Sequence, residues 1–170
     1  MTRIQKAFEN KKAFIAFVTG GDPDVEATKK LIPAMAAAGA DLIEIGIPFS
    51  DPIAEGVVIQ EADVRALSAG TTTDDLFDMV KEVRKETDVP LVFMTYMNPV
   101  YTYGTERFMK KCAECGIDGV IIPDVPFEEN DEVSGACEAA GVALISMIAP
   151  SSKERIHRIA RLANGFLYCV

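Results

Sequence analysis

The sequence predicts an α/β protein, and two observations carry that prediction. Short apolar runs alternate with longer stretches of helical periodicity along all 170 residues. Most of those runs are nearly continuous in Val, Ile, Leu, Met and Phe, the pattern of parallel strands covered on both faces. Alternating strand and helix with short connections means βαβ units and right-handed crossovers.

The elements follow in order. Residues 1–8 read as a short amphipathic helix and residues 14–19 as the first strand. Residues 25–38 carry Leu31, Ile32 and Met35 at helical spacing before Gly39, and Pro33 inside them predicts a kink. The second strand spans 42–47. Residues 74–86 place Leu76, Met79, Val80 and Val83 on one helix face behind two candidate N-caps, Thr72 and Thr73. The third strand spans 91–96. A helix bearing Cys112 and Cys115 follows, and Gly116 stops it. Strands at 119–122, 143–148 and 165–170 complete a set of six, the last two separated by a helix around residues 153–161. Such repeats fit an open doubly wound sheet or a closed barrel. The turn after the first strand, Thr19-Gly-Gly-Asp-Pro23, lacks the G-x-G-x-x-G spacing of a dinucleotide fold.

Composition narrows the function classes. Hydrophobic residues at 49% and charged residues at 25% are those of a compact globular enzyme. A net charge of -9 disfavours nucleic acid and anionic membrane surfaces, which are held by excess Lys and Arg. No run approaches the roughly 18 apolar residues of a membrane span, and the expected location is cytoplasmic. Cys112-Ala-Glu-Cys115 has no second pair at ligand spacing, and His157 is the only histidine, so a metal site is not expected. The pair, with Cys137 and Cys169, reads as packed small apolar residues. His157 falls at the border of a helical stripe made by Ile156, Ile159 and Ala160.

The segment Glu44-Ile-Gly-Ile-Pro-Phe-Ser-Asp-Pro-Ile-Ala-Glu-Gly56 carries the chemistry. Period-2 alternation sends Ile43, Ile45 and Ile47 to one face of the strand and Leu42, Glu44 and Gly46 to the other. If that second face is also covered, burial disfavours the ionised carboxylate and raises its pKa. Residue type alone leaves two readings open: an ion pair inside the fold, or a general acid and base with space for a ligand over Gly46.

This segment resembles the signature of the tryptophan synthase alpha chain family. Phe17-Val-Thr-Gly-Gly-Asp-Pro23, Tyr96-Met-Asn-Pro99 and Ile122-Pro-Asp-Val-Pro126 match in order and spacing along the whole chain. Two positions depart from the family pattern: Glu55 stands where Asp is usual, and Val57 where Pro is usual. The resemblance implies a (β/α)8 barrel and a lyase that splits indole-3-glycerol phosphate into indole and glyceraldehyde 3-phosphate, without metal or organic cofactor. By carry-over Glu44 is the general acid and base, and Glu55 partners the indole N-H. By position, the candidates to line the indole pocket are Phe17, Met94, Ile121, Met147 and Tyr168, and Tyr96 is a further substrate-binding candidate. Asp51 and Pro52 are implied at the interface with a beta subunit in an alpha2-beta2 complex. For Tyr96 and Asp124, shaping the site through hydrogen bonds is as good a reading as catalysis.

A complete barrel has eight strands and about 250 residues. The expectation is therefore a single barrel domain over residues 1–170 that breaks off after its sixth strand, without the later loops that the family uses for phosphate. Two alternatives remain at this stage: a catalytically incompetent fragment acting as a partner-binding module, and another phosphate-sugar barrel enzyme.

Overall fold

A computed structural model describes residues 1–170, the side chain of Ser152 excepted. Five parallel strands lie side by side in chain order: β1 (Ile15–Thr19), β2 (Leu42–Gly46), β3 (Leu91–Met94), β4 (Gly119–Ile121) and β5 (Ala143–Leu144). Two more, β6 (Ser146–Ile148) and β7 (Leu167–Cys169), pair in parallel with each other. The predicted fifth strand is thus split at Ile145. Its first half pairs with β4, the Ile145 amide donates to the Val120 carbonyl at 2.9 Å, and its second half turns to β7. This staggered hand-over links all the strands into one curved parallel wall, the arrangement of part of a barrel.

Helices cover the outside. They are α2 (Val25–Ala37), α3 (Val57–Ser68), α4 (Thr73–Val83), α6 (Thr105–Cys115), α7 (Asp131–Ala140) and α8 (Lys153–Leu162), with α1 (Arg3–Ala7) before β1 and a short α5 (Met97–Tyr103) directly after β3. Local chemistry sets their ends. Asp24 caps α2 by accepting from Ala27, and Thr72 caps α4 in a reciprocal capping box with Asp75. Gly116 ends α6 with φ of +94°, a conformation that favours glycine. Pro33 does not interrupt α2.

Alternation along the strands separates two apolar layers. Ile43, Ile45, Ile47, Leu91, Phe93 and Val120 face the helices and pack with Leu76, Phe77, Val80, Phe108 and Met109. Leu42, Val92, Ile121, Ala143 and Ile145 form the inner layer with Met94, Met147, Phe166 and Tyr168. Ile4 of α1 joins this inner layer and is buried, so the N-terminal helix plugs the end of the wall where the strands begin. Two sequence expectations need correction. Cys169, read as buried, is exposed on β7, whose only strand partner among the described residues is β6. Ala160 is exposed too, and only Ile159 of the α8 stripe is fully buried, because little packs against that helix. The other three cysteines are buried, and His157 is exposed.

Candidate active site

Glu44 lies at the middle of β2, between Phe17 on β1 and Val92 on β3. Strand alternation puts it on the inner wall, where it is 4% exposed and where neighbouring strands supply apolar side chains. Its Oε1 has no hydrogen-bond partner among the described residues. Burial alone pushes its carboxyl up to about 7. Of the two readings left open by the sequence, the internal ion pair is not what forms: no cation pairs with Glu44 among the described residues.

One layer nearer the strand ends, Thr19, Gly46, Met94 and Ile121 share a row. Gly46 is the gap in this row. A Cβ there would meet Cζ of Phe17 at 2.7 Å, so the absence of a side chain is what admits the Phe17 ring. Met147 and Tyr168 pair across β6 and β7 and close the inner layer on the far side.

Glu55 sits in the loop after β2 and is half-buried. Its Oε2 accepts from the Tyr96 hydroxyl at 2.5 Å, and the same hydroxyl accepts from the Ala54 amide at 3.0 Å. Burial, followed by the Glu55 contact, pushes the Tyr96 phenol up to about 12. Tyr96 therefore stays protonated and ties the loop to the end of β3. The Phe49 ring leans on Tyr96 with centroids 5.5 Å apart. Asp124 accepts from the Met97 amide at 2.9 and 3.1 Å, which satisfies the first amide of α5. In this structure the Tyr96 hydroxyl and the Asp124 carboxylate are both engaged in hydrogen bonds.

Both glutamates lie within electrostatic reach of Tyr168. Tyr168 is pushed up first by burial and then by the charges of Glu44 and Glu55. The structure therefore brings together Glu44, Glu55, Phe17, Met94, Tyr96, Ile121, Met147 and Tyr168 along the inner wall and its rim. Of the residues called for a partner interface, Asp51 is exposed and accepts from the Ser50 hydroxyl at 2.5 Å, and Pro52 is half-buried. Sequence reasoning missed Asp63. It is 6% exposed on α3, and burial followed by the charge of Glu55 pushes it up to about 6. The spacing Ile59, Ala62, Asp63, Ala66 places it on the covered helix stripe, and that signal could have found it.

Comparison with known proteins agrees with the geometry. The family model described as tryptophan synthase alpha chain matches residues 4–170. The chain is 48% identical over 170 residues to the tryptophan synthase alpha chain of Lacticaseibacillus casei, covering all of this chain and 64% of that protein. It is 49% identical to that of Bacillus anthracis, covering 99% of this chain and 66% of the relative. Among solved structures, tryptophan synthase subunit alpha from Legionella pneumophila superposes with a TM-score of 0.94 at 41% identity, over all of this chain and 68% of that one. The tryptophan synthase complex of Pyrococcus furiosus gives 0.88 at 37% identity, over 92% of this chain and 65% of that one. The chain spans about two thirds of the length of the curated relatives it matches.

Proposed function

The chain belongs to the tryptophan synthase alpha chain family, and from that premise we propose that it is the alpha subunit, a cytoplasmic lyase that cleaves indole-3-glycerol phosphate to indole and glyceraldehyde 3-phosphate. On this reading residues 1–170 form one domain and supply six strands of an eight-stranded barrel, with a beta subunit as partner in an alpha2-beta2 complex. Asp51 and Pro52 face that partner. No helix among the described residues is long and apolar enough to cross a membrane.

The observation that carries the reading is Glu44, a carboxyl buried on the inner wall with a free oxygen and a proton affinity matched to neutral pH. Cleavage needs a proton at C3 of the indole and loss of a proton from the glycerol hydroxyl on the departing carbon. As the bond between C3 and that carbon breaks, its electron pair returns to the ring and the hydroxyl carbon becomes the aldehyde. Glu44 gives and takes those protons. Glu55 accepts the indole N-H and stabilises the positive charge that C3 protonation places on the ring nitrogen. Tyr96 holds Glu55 at 2.5 Å and the Ala54 amide holds Tyr96, so the acceptor is positioned before substrate arrives. Phe17, Met94, Ile121, Met147 and Tyr168 enclose the indole. None of these steps calls on a metal or organic cofactor.

The test is indole release from indole-3-glycerol phosphate by the whole reading frame, with and without a beta partner. Indole formation that is lost with Glu44→Gln supports the assignment. Robust cleavage by that variant, or none by the parent in complex, refutes it.

A further inference from the structure

Three buried side-chain oxygens have no hydrogen-bond partner among the described residues: Oε1 of Glu44 and the hydroxyls of Thr19 and Thr95. The chemistry above uses only the first. Thr19 ends β1 and is 4% exposed. Ala16 and Val18 of that strand pack with the helix-side layer and Ile15 with the inner one, so alternation turns Thr19, like Phe17, to the inner wall. Thr95 follows Met94, an inner-layer residue, and alternation turns it to the helix side instead. Two unpaired polar groups, Glu44 and Thr19, therefore share the wall that lines the site.

The register fixes their relation. Phe17 pairs with Glu44 and Thr19 with Gly46, so Thr19 stands on the neighbouring strand one row nearer the strand ends than Glu44. Spacings of about 4.8 Å between strands and about 3.3 Å per residue put the two Cα atoms roughly 8 Å apart. Opposite Thr19 the wall carries no side chain, since its partner is Gly46. A buried hydroxyl left unpaired costs stability, and valine would fill the same volume without that cost. The substrate of the proposed reaction carries the missing partner. The carbon that departs from C3 of the indole bears the hydroxyl that Glu44 deprotonates, and the next carbon bears a second hydroxyl, before the phosphate. From Glu44 the chain runs toward the strand ends, where barrel enzymes commonly hold phosphate in the loops after strands 7 and 8. In a closed eight-stranded barrel strand 8 lies beside β1, so the second hydroxyl passes the row of Thr19.

We propose that Thr19 is a substrate-binding residue whose hydroxyl hydrogen-bonds the second hydroxyl of the glycerol chain, so that the site recognises a polyol phosphate and not only an indole with a phosphate tail. The proposal rests on the lyase reading and on the place given to Glu44 in it. Thr19 and Glu44 then hold neighbouring hydroxyls of one chain, and the bond to Thr19 fixes the rotation that brings the first hydroxyl to the Glu44 carboxylate.

Thr19→Val and Thr19→Ser in the whole reading frame test this, the first keeping the shape without the hydroxyl and the second keeping the hydroxyl. One readout needs no turnover. The parent should bind glycerol 3-phosphate about tenfold more tightly than propyl phosphate, which lacks both hydroxyls, and Thr19→Val should cut that preference at least about threefold while Thr19→Ser keeps it. No preference in the parent, or one undiminished in Thr19→Val, overturns the proposal. In the indole assay Thr19→Val should lower kcat/KM about tenfold and Thr19→Ser less than about threefold. Unchanged kcat/KM in Thr19→Val would leave the hydroxyl to a buried water and overturn the proposal. Thermal denaturation without ligand guards against a folding defect: Thr19→Val should melt at or above the parent's temperature, because no bond is lost. A lower Tm would show that the hydroxyl is bonded within the free protein, which overturns the proposal as well. Absence of indole release from the parent refutes the lyase reading, while the preference between the two phosphate esters still decides whether Thr19 meets a polyol chain.

Discussion

Two largely buried acids, one just before β4 and one at the middle of β2, have surroundings that differ in kind. Asp118, 10% exposed in its side chain, stands where β4 begins. It accepts from Arg84 Nη2 at 2.6 Å, from Arg3 Nη1 at 3.1 Å and from the Leu91 amide at 3.0 Å. Arg84 in turn donates to the carbonyls of Gly116 at 2.9 Å and Val89 at 2.5 Å. Every charge there is answered, and the cluster bolts α4, the start of β3 and the start of β4 together beside the α1 plug. Glu44 is more deeply buried and has no such answer. A satisfied buried charge fixes structure, whereas an unsatisfied one holds free energy available to chemistry.

The largest expected effect separates these two roles within one residue. Glu44→Gln in the whole reading frame should lower indole turnover by about 10² to 10⁴ with little change in substrate binding. Its stability should change in the opposite sense with pH. The folded carboxyl titrates near 7 against 4.5 for the free group, so folding favours its protonated form. The parent's stability is therefore fullest below 4.5 and falls as pH rises through 7, by about 3 kcal/mol in total. Denaturation curves of the Gln variant should lack most of that decline. A decline of equal size in parent and variant would show that Glu44 is not the strained group.

The Asp118 cluster should behave as its mirror. Arg84→Met leaves Asp118 buried with only the half-exposed Arg3 as cation, and removing one partner of a buried pair costs about 3 to 5 kcal/mol. Urea denaturation should register that loss, while indole turnover well below the melting range stays near the parent's. A variant that loses turnover but not stability would erase the contrast between the two acids.

The sequence made this division only half legible. Period-2 alternation in 42–47 put the isoleucines and Glu44 on opposite faces; that the isoleucines meet the helices and Glu44 the inner wall is decided only by the packing of the whole fold. Thr72, Gly116 and the buried cysteines were equally readable, since capping and helix packing are local. The Arg84 and Asp118 cluster was not, because its members are 34 residues apart and meet only once the helix layer closes over the strands. Asp63 was overlooked although its spacing with Ala62 and Ala66 puts it on the covered stripe of α3. The split at Ile145 and the exposure of Cys169 depend on which strand lies alongside, and a single strand's residues do not encode that.

Glu55 sharpens the comparison, being held by hydrogen bonds like Asp118 but assigned to chemistry like Glu44. Glu55→Gln still accepts from Tyr96, so the loop should stay in place while the negative charge disappears; turnover should fall about 10²-fold. Glu55→Asp shortens the reach by about 1.3 to 1.5 Å but keeps the charge. The loop carries Val57 and no proline at the start of α3, and can follow the shorter side chain; this variant should retain measurable activity. Equal activity of the Gln variant and the parent would leave Glu44 as the only catalytic carboxylate.

The smallest expected effect concerns Gly46, where space and not charge is at stake. A methyl group there would lie 2.7 Å from Cζ and 3.1 Å from Cε2 of Phe17, so Gly46→Ala must swing the ring tip into the volume assigned to the indole. Stability should fall only about 1 kcal/mol, because the displaced atoms end a side chain and losing glycine's backbone freedom gives some of it back. KM should rise about threefold to tenfold with a smaller change in kcat, since the general acid is untouched. Pairing the change with Phe17→Leu removes the ring tip, and the two substitutions should then be non-additive, the double variant binding substrate better than the sum of the singles allows. Additive effects would mean that Phe17 and Gly46 do not share the substrate wall, and the pocket would have to lie on the far side of Glu44, toward Val92 and β4.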